Sequence, residues 1–192
     1  PDVKRAILEE SNDHSGVPMG SMEFGIAHAE INYAQIFELN SQSTYEPTQD
    51  ESFAYLARQA TETPESFLYD FLVKDGLSMA IMFFTNYTDY SLDAVREMQM
   101  DSATVTGLSD AGAHVSLIFD AVNPTYQLTY WARDRSRGET IPLGQMIHRA
   151  TRRNAQLFGL NDRGHIEIGK KADINVIDFE RLSLGDLHIR QD

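Results

Sequence analysis

Apolar positions along this chain change their period several times, and each change predicts an element. Phe53, Leu56, Ala57 and Ala60 recur at helical spacing, and a second set, Phe67, Leu68, Phe71 and Leu72, follows Pro64. The pattern predicts two helices between residues 48 and 75, the second with Thr63 as N-cap, Pro64 at the first helical position and Glu65 in the first turn. Upstream, VKRAILEE predicts a short helix and SNDHSGVPMG a loop. Residues 22–40 fit neither period cleanly, although AQIFELN admits a short strand. From Met79 to Phe84 the chain is continuously apolar, bounded by Gly76 and Asn86. That run predicts a strand buried on both faces of a parallel sheet.

SLDAVREM then predicts a helix capped by Ser91, and ATVTGLSDAGAH a strand over residues 103–108 that breaks into a glycine-rich loop. Strand, helix and strand in this order predict a βαβ unit. A long helical zone follows, PTYQLTYWARDRSRG and then IPLGQMIHRATRRNAQLFGL, with Gly159 as a C-cap. The tail turns to period two: HIEI and INVID predict two short strands, the second largely buried, with turns at Gly164 and in GKKAD. The expected fold class is therefore α/β, with two α/β units, a long helix and a small β appendix. There is no internal repeat and no low-complexity tract.

Composition narrows the function classes. Of 192 residues, 42% are hydrophobic, enough to bury a real core, and the formal net charge of -13 repels phosphate backbones and anionic membrane surfaces. Nucleic-acid and membrane partners are therefore not expected. The absence of cysteine removes disulfides, thiolate metal sites and thiol nucleophiles, and fits a reducing, cytoplasmic location. No apolar run reaches the roughly 20 residues that span a bilayer, and the first residues lack the layout of a signal peptide. Both ends are expected to be cuts in a longer chain.

Candidate chemistry concentrates in Gly107, Leu108, Ser109, Asp110, Ala111, Gly112, Ala113 and His114. A carboxylate at the carboxyl end of a strand can take a proton from a water attacking a carbonyl and return it to the departing amine. Asp110 stands at such an end. Its other reading is a helix cap or an Asx-turn, and His114 is either a substrate or metal contact or an ordinary loop histidine.

The order of GLSDAGAH, WARDRSRG, the helix ending in NAQLFGL, and GHIEIGKKADINVID resembles the carboxy-terminal third of the amidohydrolase superfamily, in its N-acyl-D-amino acid deacylase (D-aminoacylase) branch. The resemblance spans about residues 78–182 and is looser before them. It implies that residues 1–163 are the last strand-helix units of a (β/α) TIM-type barrel and that residues 164–192 begin a small β domain. Asp110 would be the general base and acid of the eighth strand and a weak metal contact. Ser109 and His114 would border the substrate pocket, and Asn86, at the end of the seventh strand, either faces substrate or simply turns the chain. The implied reaction is hydrolysis of a linear amide in an N-acylated amino acid, with zinc as the metal of the complete enzyme.

Departures from the family pattern are as informative. There is no His-x-His, and none of the histidines at 14, 28, 114, 148, 165 and 188 sits where the family's ligands do, so the main ligands are expected upstream. The chain alone is expected to bind metal weakly and to be inactive. Arg133, Arg135 and Arg137 could meet a substrate carboxylate, but a charged loop with internal pairs such as Asp134 with Arg137 is the plainer reading. Two other functions fit the same residues. One is a cyclic amide hydrolase of the dihydropyrimidinase or dihydroorotase kind, and the other a noncatalytic α/β assembly module using the methionines and MFFTNY as an adaptable surface. A cut barrel should self-associate through its strand edges, whereas a true module should stay monomeric.

Overall fold

A computed structural model describes residues 2–10, 16–21, 30–74, 76, 78–83, 85–87, 89–107 and 120–185. These residues divide into two compact units, one up to Tyr90 and one from Ser91 onward.

In the first unit, helix α1 spans Asp2–Glu9, strand β1 Ile36–Leu39, helix α2 Phe53–Ala60, helix α3 Pro64–Val73 and strand β2 Met79–Met82. The two helices expected in 48–75 are present. The Thr63 hydroxyl accepts the Ser66 amide at 3.3 Å and Pro64 opens α3 where no N–H is needed, so the sequence signal and the cap coincide. α2 is capped in the same manner by Ser52, which accepts the Tyr55 amide.

β2 forms within the apolar run, but its setting differs from the expectation. It pairs antiparallel with β1, Ile36 opposite Met82 and Leu39 opposite Met79, and Phe83 adds one further bond to the Gln35 carbonyl. Met79, Ala80 and Met82 are only half-buried and Ile81 is exposed. A two-stranded ribbon covers one face at most, so a run that reads as doubly buried keeps a face open.

The core of this unit is aromatic. Phe37 is fully buried and meets Phe83, Tyr87 and Tyr90 edge-on, while Phe83 and Tyr87 stack at 4.5 Å. Tyr87 places its hydroxyl on the Pro47 carbonyl at 2.6 Å, which satisfies the one polar atom this ring carries inward. Phe53, Phe67 and Phe71 join α2 to α3 by two further edge-to-face contacts.

In the second unit, helix α4 spans Asp93–Met100. Leu92, not Ser91, occupies its N-cap position, and the Ser91 hydroxyl instead accepts the Asp93 amide. Helix α5 runs over 123–134, α-helical over Asn123–Tyr126 and π-helical over Gln127–Asp134. Helix α6 runs over 143–157, with a π-helical stretch Arg149–Arg153 between Leu143–His148 and Asn154–Leu157. Trp131, Ile141 and Met146 form the buried centre. Gly159 is left-handed at φ 68°, in keeping with a C-cap. Gly164, at φ 91°, brings the tail so close to α6 that a Cβ there would lie 2.7 Å from Ala155 Cβ. Only glycine fits such a turn.

Three strand expectations are corrected here. Residues 103–107 are not a paired strand, HIEI and INVID have no strand partner among the described residues, and INVID is not buried. Ile168 and Val176 are 103% and 98% exposed. The period-two pattern is a request for a sheet neighbour, and it yields a strand only where a neighbour is present to complete the ladder.

Candidate functional site

The path to the predicted loop is residues 101–107, and side chains of α6 hold it. Arg149, Arg153 and Asn154 stand four and five residues apart, on one face of the helix. Arg149 Nη1 donates to the Asp101 carbonyl at 3.4 Å, and its Nη2 to the Thr104 carbonyl at 3.2 Å and hydroxyl at 2.8 Å. Arg153 donates through Nε to the same Thr104 carbonyl at 3.1 Å and through Nη2 to the Ser102 carbonyl. Asn154 Nδ2 reaches the Thr106 carbonyl at 3.3 Å and hydroxyl at 3.0 Å, and the Thr106 hydroxyl donates back to the Arg149 carbonyl at 3.4 Å. Carbonyls that a sheet would use are taken by donors from a helix.

Arg149 is buried, and burial together with the neighbouring Arg153 lowers its guanidinium from the ordinary value. A guanidinium has donors only, so oxygens of the segment can meet its two Nη nitrogens without a carboxylate, while Nε is buried with no partner. It remains charged, because an arginine lowered from so high a value still holds its proton at neutral pH.

Beside this clasp lies a cavity of about 400 Å³ in the second unit, with Thr106 and Gly107 in one wall. Leu128, Met146, Ile147 and Ile177 make it largely apolar. Its polar lining comes from threonine, asparagine and glutamine side chains. Gln127 Nε2 donates to Asn123 Oδ1 at 3.3 Å, while Gln127 Oε1 and Asn154 Oδ1 are buried with no hydrogen-bond partner.

Of the sequence-predicted site residues, Ser109, Asp110 and His114 lie outside the described residues. Gly107 precedes Asp110 by three positions, a reach of about 10 Å of extended chain. Asn86 belongs to the first unit, exposed, with a left-handed backbone at φ 60°. Asn tolerates that conformation, which fits the turn reading offered beside the substrate-facing one.

The arginines of WARDRSRG are occupied internally. Arg133 grips Asp134 through Nε and Nη2 and donates to the Phe179 and Leu182 carbonyls. Arg135, with a fully buried side chain, donates to Asp93 at 2.7 Å and to the Glu139 carbonyl, and lies over the Trp131 ring at 5.1 Å.

Sequence reasoning missed the Arg149, Arg153 and Asn154 set and the two orphaned amides. The first left a signal, since helical spacing aligns RATRRNA on one face; the second depends on which side chains meet. It missed the fully buried side chain of Glu46 as well, which no periodicity marks.

A model of the amidohydrolase family matches residues 9–192. The chain belongs to the amidohydrolase family. No curated protein matches it, and no solved structure does. Amidohydrolases are generally metal-dependent hydrolases, and this chain carries a domain of that class. Among the described residues of this amidohydrolase, no three His, Cys, Asp or Glu side chains come together to hold a metal. Those residues therefore do not fit the family's metal. No helix among them is long and apolar enough to cross a membrane.

Proposed function

We propose that this amidohydrolase chain supplies Asp110 as general base and acid for hydrolysis of a linear amide in an N-acylated amino acid, as in the D-aminoacylase branch. The observation that carries the reading is the largely apolar cavity with Gly107 in its wall, three residues before Asp110. Water attacks the amide carbonyl while the Asp110 carboxylate accepts its proton. The same proton then passes to the amide nitrogen as the carbon–nitrogen bond breaks, leaving a carboxylate and an amine. Ser109 and His114 border the substrate from the same stretch of sequence. An acyl chain fits the apolar walls of the cavity. Zinc is the proposed metal, held by residues other than the described ones with Asp110 as a weak contact, and the cytoplasm is the proposed compartment.

Replacing Asp110 by Asn in the active enzyme is expected to lower kcat by about 10²- to 10⁴-fold with metal content unchanged. Normal turnover of N-acylated amino acids by that variant overturns the assignment. A preference for cyclic amides over linear ones moves the chain to the dihydropyrimidinase-like alternative.

We further propose that residues 1–163 form the last strand-helix units of a (β/α) barrel and residues 164–192 the start of a small β domain. The bare alternation of Ile166, Ile168, Ile174 and Val176 supports this, because such a face is normally covered by sheet neighbours. The same face favours self-association of the isolated chain. Sedimentation velocity across micromolar concentrations should show species larger than a monomer; a single monomeric boundary favours the noncatalytic module.

A further inference from the structure

The clasp on residues 101–106 does more than satisfy carbonyls. Were these carbonyls merely in need of partners, water or an adjoining strand would serve, and neither requires a buried guanidinium. Arg149 is buried, and both of its Nη nitrogens are spent on oxygens of Asp101 and Thr104, while its Nε has no partner. Arg153 adds the Ser102 carbonyl and shares that of Thr104, and Asn154 fastens the last point, at Thr106. The attachments run along the segment in the direction of the loop and stop one residue before Gly107. Each comes from the same helix face, so they move as one body.

We propose that Arg149, Arg153 and Asn154 are positioning residues that set the register of residues 101–106 against α6, and thereby the point from which the Gly107 loop presents Asp110. The inference rests on the catalytic reading of Asp110. A segment clasped at four carbonyls cannot slide by a residue without breaking the whole set. Register is thus fixed up to Thr106. Thr104 is the hub, taking both arginines on its carbonyl, Arg149 on its hydroxyl, and giving its own proton to the Met98 carbonyl at 2.6 Å.

Arg153 and Thr104 do not line the amide cavity, which makes them clean probes. In the active enzyme, Arg153→Ala and Thr104→Val are each expected to lower kcat about 10- to 100-fold with KM within about threefold, as a misplacement of about 1 Å does. Thr104→Ser keeps the hydroxyl and should restore kcat to within about threefold. Amide hydrogen exchange over residues 103–110 should quicken in Arg153→Ala and Thr104→Val and return to normal in Thr104→Ser. Unchanged exchange in both variants overturns the clasp. Quickened exchange with unchanged kcat overturns its positioning role, as does a kcat loss that the serine fails to rescue. Normal turnover in Asp110→Asn removes the catalytic reading and is read separately from exchange.

Discussion

The two units of this chain hold their backbones in different ways. Up to Tyr90, helices are capped by adjacent hydroxyls, two strands pair with each other, and an aromatic cluster around Phe37 and Phe53 fills the interior. From Ser91 onward, local rules give way to long-range ones. An extended segment is held by helix arginines, one guanidinium is buried beneath Trp131, and two amide oxygens are left without partners in a cavity. Local satisfaction makes a self-sufficient scaffold. Side-chain satisfaction of backbone leaves some buried polar groups unpaired, Gln127 Oε1, Asn154 Oδ1 and Arg149 Nε among them.

The comparison can be broken most severely at the two cores. Phe37→Ala should cost about 3–5 kcal/mol in the first unit, and Trp131→Ala a similar amount in the second. If the two units open independently, hydrogen exchange in each variant should rise in one unit only. A uniform rise throughout would merge them into one cooperative body.

Next in size is Arg135→Ala, expected to cost about 2–3 kcal/mol. The loss is less than for a fully buried ion pair, because Asp93 stays largely in water when its partner goes. Denaturant titration followed by Trp131 fluorescence would report it. A change under about 0.5 kcal/mol would mean that the buried guanidinium is no more than a space-filler.

Thr63→Ala tests the contrasting device, a local cap, and should cost about 1 kcal/mol, with Thr63→Ser close to neutral. An equal loss in the serine variant would show that the methyl group and not the hydroxyl matters.

Smallest of all is the tail. The hydrogen bond from His165 holds the exposed Glu167 carboxyl below its ordinary value. A carboxyl depressed in the folded state stabilises above the unfolded value, about 4.3 for Glu, and that contribution disappears as pH falls through the lower folded value. Glu167→Gln should therefore lower Tm by about 1–2 °C near neutrality, with the difference from the wild type vanishing as pH falls below the folded value. A difference that is absent at pH 7 and appears only in acid would contradict the sign.

Much of the first unit was legible in order of residues alone. Thr63-Pro64-Glu65 names its own helix start, because every group that caps it lies within a few positions. Phe53, Phe67 and Phe71 likewise announce their faces through spacing. The antiparallel pairing of Met79–Met82 was not legible, since an apolar run says that a strand wants cover without saying who provides it. Nor was the state of residues 103–107, whose β-type composition is met by Arg149 and Arg153 instead of a strand.

The candidate site divides along the same line. Asp110 was singled out from its loop and from the ordered motifs around it, and membership of the amidohydrolase family rests on the run of sequence from residue 9 to 192. The cavity next to Gly107, the orphaned oxygens of Gln127 and Asn154, and the Arg–carbonyl clasp had no sequence signature of comparable strength.

By itself, the sequence determined the Thr63-Pro64 helix start, the turns at Gly159 and Gly164 and the family, since each depends on interactions between near neighbours or on motif order. Tertiary structure alone decided which backbone groups found strands and which found side chains. Such pairing depends on what lies across a gap of forty to fifty residues, a distance over which hydrophobic period carries no address.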